Sequence, residues 1–395
     1  MERSTFYDLL TPAGQEVLLA AADFNPTEAD FLSLFQVLSR QYPRELARAA
    51  LTIAILRGKA STKFPQAEKM YFTRDALQQA SSYEVSIHRA KRYEGYERIF
   101  DLGCSIGGDT LALAGVSPTI GIDLDPLRAA MARANLDALG FDTHIIQADL
   151  RSPLPIAPRQ TTASAVFFDP ARRANNRRIR SVEGYIPPLS TVTAWLQRIP
   201  ALAVKISPGV QLDELARYDA EIEFVSLKGD LKEAALWFGP LKSARRRATL
   251  LPGEYTLFSH SVDMVRVALS EPQVYLYEPD PAILRSRLVG DLAVQLKAYQ
   301  LDPDIAYLTA EVKQETPFAR VWEIEDWFPF QLKRLRAYLR ERGVGRLVVK
   351  KRGSPLQPEV LIRDLRLDGD AERVVFLTHL RGRPIVVICY PNKGI

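Results

Sequence analysis

Cysteine is scarce in this 395-residue sequence, with Cys104 and Cys389 its only two. Two thiols so far apart provide no disulfide framework and no cysteine-based metal cluster. Histidine is nearly as sparse: His88, His144, His260 and His379 are scattered without ligand spacing. No metal site is therefore expected. No apolar run approaches the ~18 residues that span a bilayer, and Met1-Glu2-Arg3-Ser4 opens no signal-like apolar segment. The expectation is a cytoplasmic protein with no membrane partner. Internal repeats and low-complexity tracts are also missing. What is present is ordinary for a folded protein, 47% hydrophobic and 25% charged residues. That balance excludes wholesale disorder, a coiled coil and a collagen-like chain. The length suits two or three domains of ~100–200 residues.

The net charge of +5 is unevenly placed. Residues 331–395 hold 15 Lys and Arg against 6 Asp and Glu, a local +9, which leaves the remainder at −4. A basic module on a near-neutral body suits a polyanionic partner such as RNA. The alternative for any charge run is a solvated face.

Four regions follow from the pattern. Residues 1–95 read as helical, with Leu46, Ala49-Ala50, Ile53 and Leu56 at helical spacing. Residues 96–245 alternate strands and helices. Short apolar strands are expected at Ile99–Asp101, Thr119–Asp123, His144–Asp149, Ala165–Pro170 and Leu202–Ile206. That order means a parallel sheet covered by helices on both faces. Two more strands, near Glu221–Leu227 and Ala234–Phe238, are joined by so short a turn that they must be antiparallel. Residues 246–330 read as a linker and a mixed α/β region. Residues 331–395 read as a small basic α+β domain in the order helix, strand, helix, strand, strand.

The chemistry concentrates at three strand ends. Asp101-Leu102-Gly103-Cys104-Ser105-Ile106-Gly107-Gly108 follows the first strand and opens a helix. Its glycines permit positive φ and a close ligand approach. Asp123 ends the second strand, about 20 residues beyond Gly103, where an acid can grip the two hydroxyls of an adenosine ribose. Asp149 ends the third strand, where it could accept from an adenine amino group. Asp101 argues against a dinucleotide, because a carboxylate there repels a pyrophosphate and attracts an ammonium. S-adenosyl-L-methionine carries an ammonium and a sulfonium and no phosphate, so the charge pattern favours it over NAD. This reading requires the carboxylates to face a ligand rather than be engaged by internal loop amides.

Taken together these residues resemble a class I S-adenosylmethionine-dependent methyltransferase. Asp101–Gly107 is similar to the family's first motif, Gly121–Pro126 to the second, Asp149 to the acidic third and Phe168-Asp169-Pro170-Ala171 to the fourth. The closing antiparallel hairpin fits too. The implied fold is α/β, a Rossmann-like sheet of seven strands. The implied cofactor contacts are Asp101, Gly103, Ser105, Gly107, Asp123 and Asp149. More narrowly, the chain resembles bacterial relatives of trimethylguanosine synthase that carry a THUMP-like C-terminal domain. That likeness rests on Lys63-Phe64-Pro65, Phe72-Thr73-Arg74, Asp169–Arg173, Lys205–Gly209, Tyr277–Ala282 and Lys350–Gly353, and it implies RNA as substrate class.

Asp169 and Pro170 are the catalytic candidates, placed where the methyl group would be transferred. Enzymes that methylate exocyclic base nitrogens read Asn/Asp/Ser-Pro-Pro-aromatic at this point. Here Ala171 replaces the second proline and Arg172 the aromatic. A guanidinium also stacks on a base, so base binding survives, but guanine-N2 specificity is in doubt. Arg172, Arg173, Arg177, Arg178 and Arg180 place five arginines in nine residues beside this strand, suited to a phosphate backbone. Phe72 is a substrate-stacking candidate or a core residue. Lys205 is a pocket floor or a strand-end ion pair. The leading function is an RNA methyltransferase. The alternatives are a methyltransferase of a protein or small molecule, and a non-catalytic RNA-binding protein that keeps the fold.

Overall fold

A computed structural model describes residues 1–152, 163–174 and 177–391, without the side chains of residues 173, 174, 177 and 178. Contacts divide it into two compact units, residues 1–225 with 232–243, and residues 226–231 with 244–395. Among the described residues no helix is long and apolar enough to cross a membrane.

The first unit opens with helices α1 (Arg3–Leu10), α2 (Pro12–Ala22), α3 (Phe31–Leu38), α4 (Arg44–Ala60), α5 (Arg74–Gln79) and α6 (Tyr83–Ala90). Leu51, Ile53, Ile55 and Leu56 of α4 are buried together with Phe6, Leu9, Val17 and Leu18. The alternating part follows. β1 (Arg98–Leu102), α7 (Gly108–Ala114), β2 (Thr119–Asp123), α8 (Pro126–Ala138), β3 (His144–Gln147) and β4 (Ser164–Phe168) come first. After β5 (Arg173–Ala174), β6 (Arg177–Arg178) and α9 (Val192–Leu196) come β7 (Leu202–Ile206), β8 (Glu221–Leu227) and β9 (Asp230–Phe238). β1 pairs in parallel with both β2 and β4, β3 with β2, and β7 with β4. β9 runs antiparallel to β7. Lys228 and Gly229, both at positive φ, form the turn between β8 and β9, as two-residue hairpin loops require.

The expected count of seven strands is corrected to nine. β10 (Arg246–Leu251) and β11 (Tyr255–Ser259) extend the order to β11-β10-β8-β9-β7-β4-β1-β2-β3. The basic residues at Arg246-Arg247 disguised a strand whose remaining residues, Ala248–Leu251, are buried. Pro252-Gly253-Glu254 is the turn signal between the two strands.

The second unit holds a seven-stranded sheet in the order β13-β14-β12-β15-β18-β17-β16. Its strands are β12 (Tyr275–Pro279), β13 (Tyr299–Asp302), β14 (Ile305–Ala310), β15 (Ala319–Pro329), β16 (Val344–Lys351), β17 (Ala371–Leu380) and β18 (Arg383–Cys389). Its helices are α10 (Pro281–Arg285), α11 (Val289–Leu296), α12 (Leu332–Glu341) and α13 (Pro358–Leu365). Leu335, Leu339, Leu361 and Leu365 bury the apolar stripes of α12 and α13 against Val375, Leu377, Val386 and Ile388. The helix-strand-helix-strand-strand order expected for residues 331–395 is the order found.

Candidate active site

The carboxyl ends of β1, β2 and β4 open onto one cavity of about 490 Å³, within the ~300–1,000 Å³ common for small-molecule sites. Its wall holds Gly103, Ser105, Asp123, Asp149, Asp169, Pro170, Arg172 and Lys205, eight of the residues singled out from sequence.

The loop after β1 is shaped by its glycines. Gly103 has φ +87° and Gly107 has φ +82°. Ser105 also lies at positive φ, +51°. A Cβ on Gly103 would stand 2.4 Å from the carbonyl oxygen of Asp169, so the loop after β1 and the end of β4 touch through backbone alone. The Asp169 amide donates to Leu102 O at 2.9 Å, which fixes that contact. Gly107 is the residue before α7 and is not on the cavity wall.

Asp123 is engaged by the loop it faces. Its Oδ2 accepts from the Ser105 amide at 2.8 Å and its Oδ1 from the Asp125 amide at 2.9 Å. A carboxylate has about four acceptor positions, so one remains on each oxygen, and Asp123 is still on the wall. Burial raises its pKa despite those two amides. Asp149 is held by Arg151, whose amide and guanidinium both donate to it, the Nη2–Oδ2 distance being 2.6 Å. Those bonds bring the Asp149 carboxyl down to about 2.

Asp101 is fully buried and not on the wall. Thr110 Oγ1 donates to its Oδ2 at 2.5 Å, while its Oδ1 has no hydrogen-bond partner among the described residues. Burial, reinforced by the neighbouring Asp109 and Asp169, pushes its pKa up to about 8. Phe72 is also off the wall. It is buried against Phe64, ring centroids 5.8 Å apart, and Phe64 in turn packs on Gly108 at the start of α7. Thr73 caps α5 through the Ala76 amide, and Arg74 pairs with Glu28. The stretch from Phe72 to Arg74 is thus packing, cap and ion pair. Arg172 reaches the wall, but the side chains of Arg173, Arg177 and Arg178 lie outside the described residues. Pro170 is steadied by its neighbour: Ala171 and Ile186 exchange backbone hydrogen bonds of 3.1 Å each.

Sequence reading missed three contributors. Asp109, in the first turn of α7, is on the wall and bonds Arg89 at 2.8 Å and Lys205 at 3.4 Å. Its acid in the turn after Gly107-Gly108 was a visible signal. Burial would raise its pKa, but Arg89 and Lys205 bring it down to about 2. Asn135 of α8 bonds both the amide and carbonyl of Tyr71 and the carbonyl of Ile106, tying three segments together. Ala76, Gln79 and Ala80, from the end of α5, line the cavity. Lys63 Nζ caps that end through the carbonyls of Leu77 and Ala80, each at 2.8 Å. Nothing in the local sequence announces these long-range placements.

The acids on the wall keep acceptor capacity, in the remaining positions on Asp123 and, among the described residues, in the Oδ1 of Asp169. The Ser105 amide, which could have met a phosphate, is turned onto Asp123. Free acceptor positions on two carboxyls suit the hydroxyls, amine and positive charge of S-adenosylmethionine better than a pyrophosphate. We expect Asp123→Ala to weaken S-adenosylmethionine binding at least tenfold by calorimetry, since it removes an acceptor from the cavity wall and frees the Ser105 amide. Unchanged affinity would exclude Asp123 from the site.

Comparison with known proteins agrees. Residues 319–391 match a family model described as THUMP domain-like, and residues 2–60 match a domain of unknown function. An uncharacterized S-adenosylmethionine-dependent methyltransferase of Mycobacterium tuberculosis H37Rv is 33% identical over 82% of this chain and 89% of its own length. A counterpart in M. tuberculosis CDC 1551 matches equally. The crystal structure of a Porphyromonas gingivalis W83 protein assigned as a methyltransferase superposes with a TM-score of 0.78. That match covers 96% of this chain and 99% of the other at 21% identity, so the fold is shared. With 33% identity sustained over 82% of its length, the chain belongs to the S-adenosylmethionine-dependent methyltransferases, and S-adenosylmethionine is its cofactor.

Proposed function

We propose that this enzyme methylates a base of RNA, with Asp169 and Pro170 holding the accepting group. The THUMP-like match over the basic C-terminal segment carries the RNA reading. Residues 331–395 bear the whole positive excess of the chain, as a phosphate-binding module would. Arg172 on the cavity wall stands where related base methylases place a stacking aromatic, and a guanidinium plane serves the same purpose. The finer likeness to relatives of trimethylguanosine synthase makes an exocyclic guanine nitrogen one acceptor to test.

S-adenosylmethionine supplies a methyl group on an excellent leaving group, so the protein's task is placement. Asp101, Gly103, Ser105, Gly107, Asp123 and Asp149 form the donor side, directly or by shaping the loop. Asp169 Oδ1, which makes no hydrogen bond among the described residues, accepts from an amino group. Pro170 offers a carbonyl held in place by the Ala171–Ile186 bridge. Arg172, on the cavity wall, contacts the substrate. Phe72 acts through packing.

The test is transfer of tritium from labelled S-adenosylmethionine into RNA and protein fractions of cells that lack the enzyme. RNA should be labelled, and Asp169→Ala should cut the rate about 100-fold or more while leaving cofactor affinity within about threefold. Label in protein alone would replace the RNA reading. Salt-sensitive RNA binding without any transfer would reduce the chain to a binding protein.

A further inference from the structure

A chain of buried charges runs inward from Asp169. Lys205 Nζ is 2.8 Å from Asp169 Oδ2 and 3.4 Å from Asp109 Oδ2, and its side chain is only 3% exposed. Asp109 bonds Arg89, and Arg89 Nε lies 3.5 Å from Glu233. Glu233 accepts from Ser81 at 2.9 Å. Arg89 also lies 4.3 Å over the ring of Phe167 of β4, two residues before Asp169. Strand register explains the first link, because Phe168 of β4 is paired with Val204 of β7, which sets Asp169 beside Lys205.

Such a chain is a poor device for stability. Taking charges out of water costs nearly what their attraction returns, and apolar residues of similar volume are often as stable. Its position speaks for another use: Asp109, Asp169 and Lys205 are all on the cavity wall.

We propose that Lys205 is a positioning residue for methyl transfer, holding Oδ2 of Asp169 so that Oδ1 meets the acceptor in one orientation. This rests on the reading of Asp169 as the carboxylate that faces the acceptor. During transfer the acceptor's lone pair forms the bond to the methyl carbon. The carbon–sulfur bond breaks with its pair going to sulfur, and the positive charge moves onto the acceptor. The proton that the acceptor then sheds goes to solvent or to Asp169. A carboxylate free to rotate would lose contact with that migrating charge. The five charged groups together carry one net negative charge, so the lysine orients Asp169 without cancelling the field that favours a cation. Lys205 itself is no proton acceptor. Burial alone would lower its pKa, but Asp109, Asp169 and Glu233 together raise it, so it stays an ammonium at neutral pH.

The experiment compares wild type, Lys205→Met and Lys205→Arg in tritium transfer to whichever fraction the wild type labels, with calorimetry for S-adenosylmethionine. Lys205→Met is expected to lower kcat about 10- to 100-fold, with KM and cofactor affinity within about threefold. Lys205→Arg, which restores a donor and the charge, should recover at least half of that loss on a logarithmic scale. If Lys205→Met does not fold, Lys205→Met with Asp109→Asn removes one charge of each sign and must show the same kcat loss. Unchanged kcat, or a kcat loss matched by the loss of cofactor affinity and not rescued by arginine, overturns the proposal. Label in protein instead of RNA would end the RNA reading and leave this comparison valid. No label in either fraction would end both.

Discussion

Gly103→Ala is expected to abolish S-adenosylmethionine binding, with an affinity loss of at least about 100-fold by calorimetry and no detectable transfer. Two penalties coincide at this residue. Its φ of +87° lies where an L side chain is strained, and a Cβ would sit 2.4 Å from the Asp169 carbonyl oxygen. Neither neighbour can yield cheaply. Gly103 N donates to Ile122 O at 2.8 Å and Asp169 N to Leu102 O at 2.9 Å, so three strand ends are bonded to one another here. Relief of the clash separates the loop after β1 from the end of β4, and about 2–4 kcal/mol of stability should go with it. Gly95→Ala is the control. Gly95 has φ +90° and nothing within 4 Å of a built Cβ, so it reports strain alone, about 1 kcal/mol, with cofactor affinity unchanged. Equal behaviour of the two variants would show that the contact with Asp169 is unimportant.

The second large effect is a pH dependence set by Asp101. Its carboxyl is pushed from 3.8 up to about 8, first by burial and then by Asp109 and Asp169. In the unfolded chain it ionises near 4, while in the folded protein it keeps its proton until about pH 8. Between those values the native state binds the extra proton, so stability falls as pH rises and levels off above about 8. The loss is on the order of a few kcal/mol. Asp101→Asn removes the titration, and its stability should be flat over that range, exceeding wild type at pH 8. Cofactor binding should go the other way. A cationic ligand favours the ionised carboxylate, so wild-type affinity should climb with pH through about 8 and proton release should accompany binding. The asparagine variant should bind about tenfold more weakly with no such climb. Thermal unfolding and calorimetry at pH 5, 7 and 9 decide this. Parallel wild-type and variant curves would mean that Asp101 is not the titrating group.

Asp101, Asp123 and Asp149 were legible as a set because short apolar strands each led into an acid, and parallel strands align their carboxyl ends on one edge. The closing hairpin was legible because two residues cannot make a parallel crossover. Phe72 was not. An aromatic beside a basic motif looks the same whether it faces a ligand or Phe64, and only burial separates the two. Asp123 was half legible: the sequence placed it at the site, but not its two bonds to loop amides. The ninth and eighth strands were missed because arginines at one end masked the pattern at Arg246–Leu251.

The sequence by itself determined what is local: strand and helix order through the parallel sheet and its closing hairpin, the positive-φ glycines of the loop, and the basic C-terminal segment. These follow from spacing and residue type, which need no partner to be read. Tertiary structure alone decided the rest, because it depends on residues far apart in the chain. Lys205 meets Asp169 across 36 positions and Asp109 across 96. Asn135 ties itself to Tyr71 across 64. Asp101 takes its raised pKa from burial that no neighbouring residue dictates. Strand register and core packing bring these groups together, and in a low-dielectric interior their mutual distances set which are charged and which way they point.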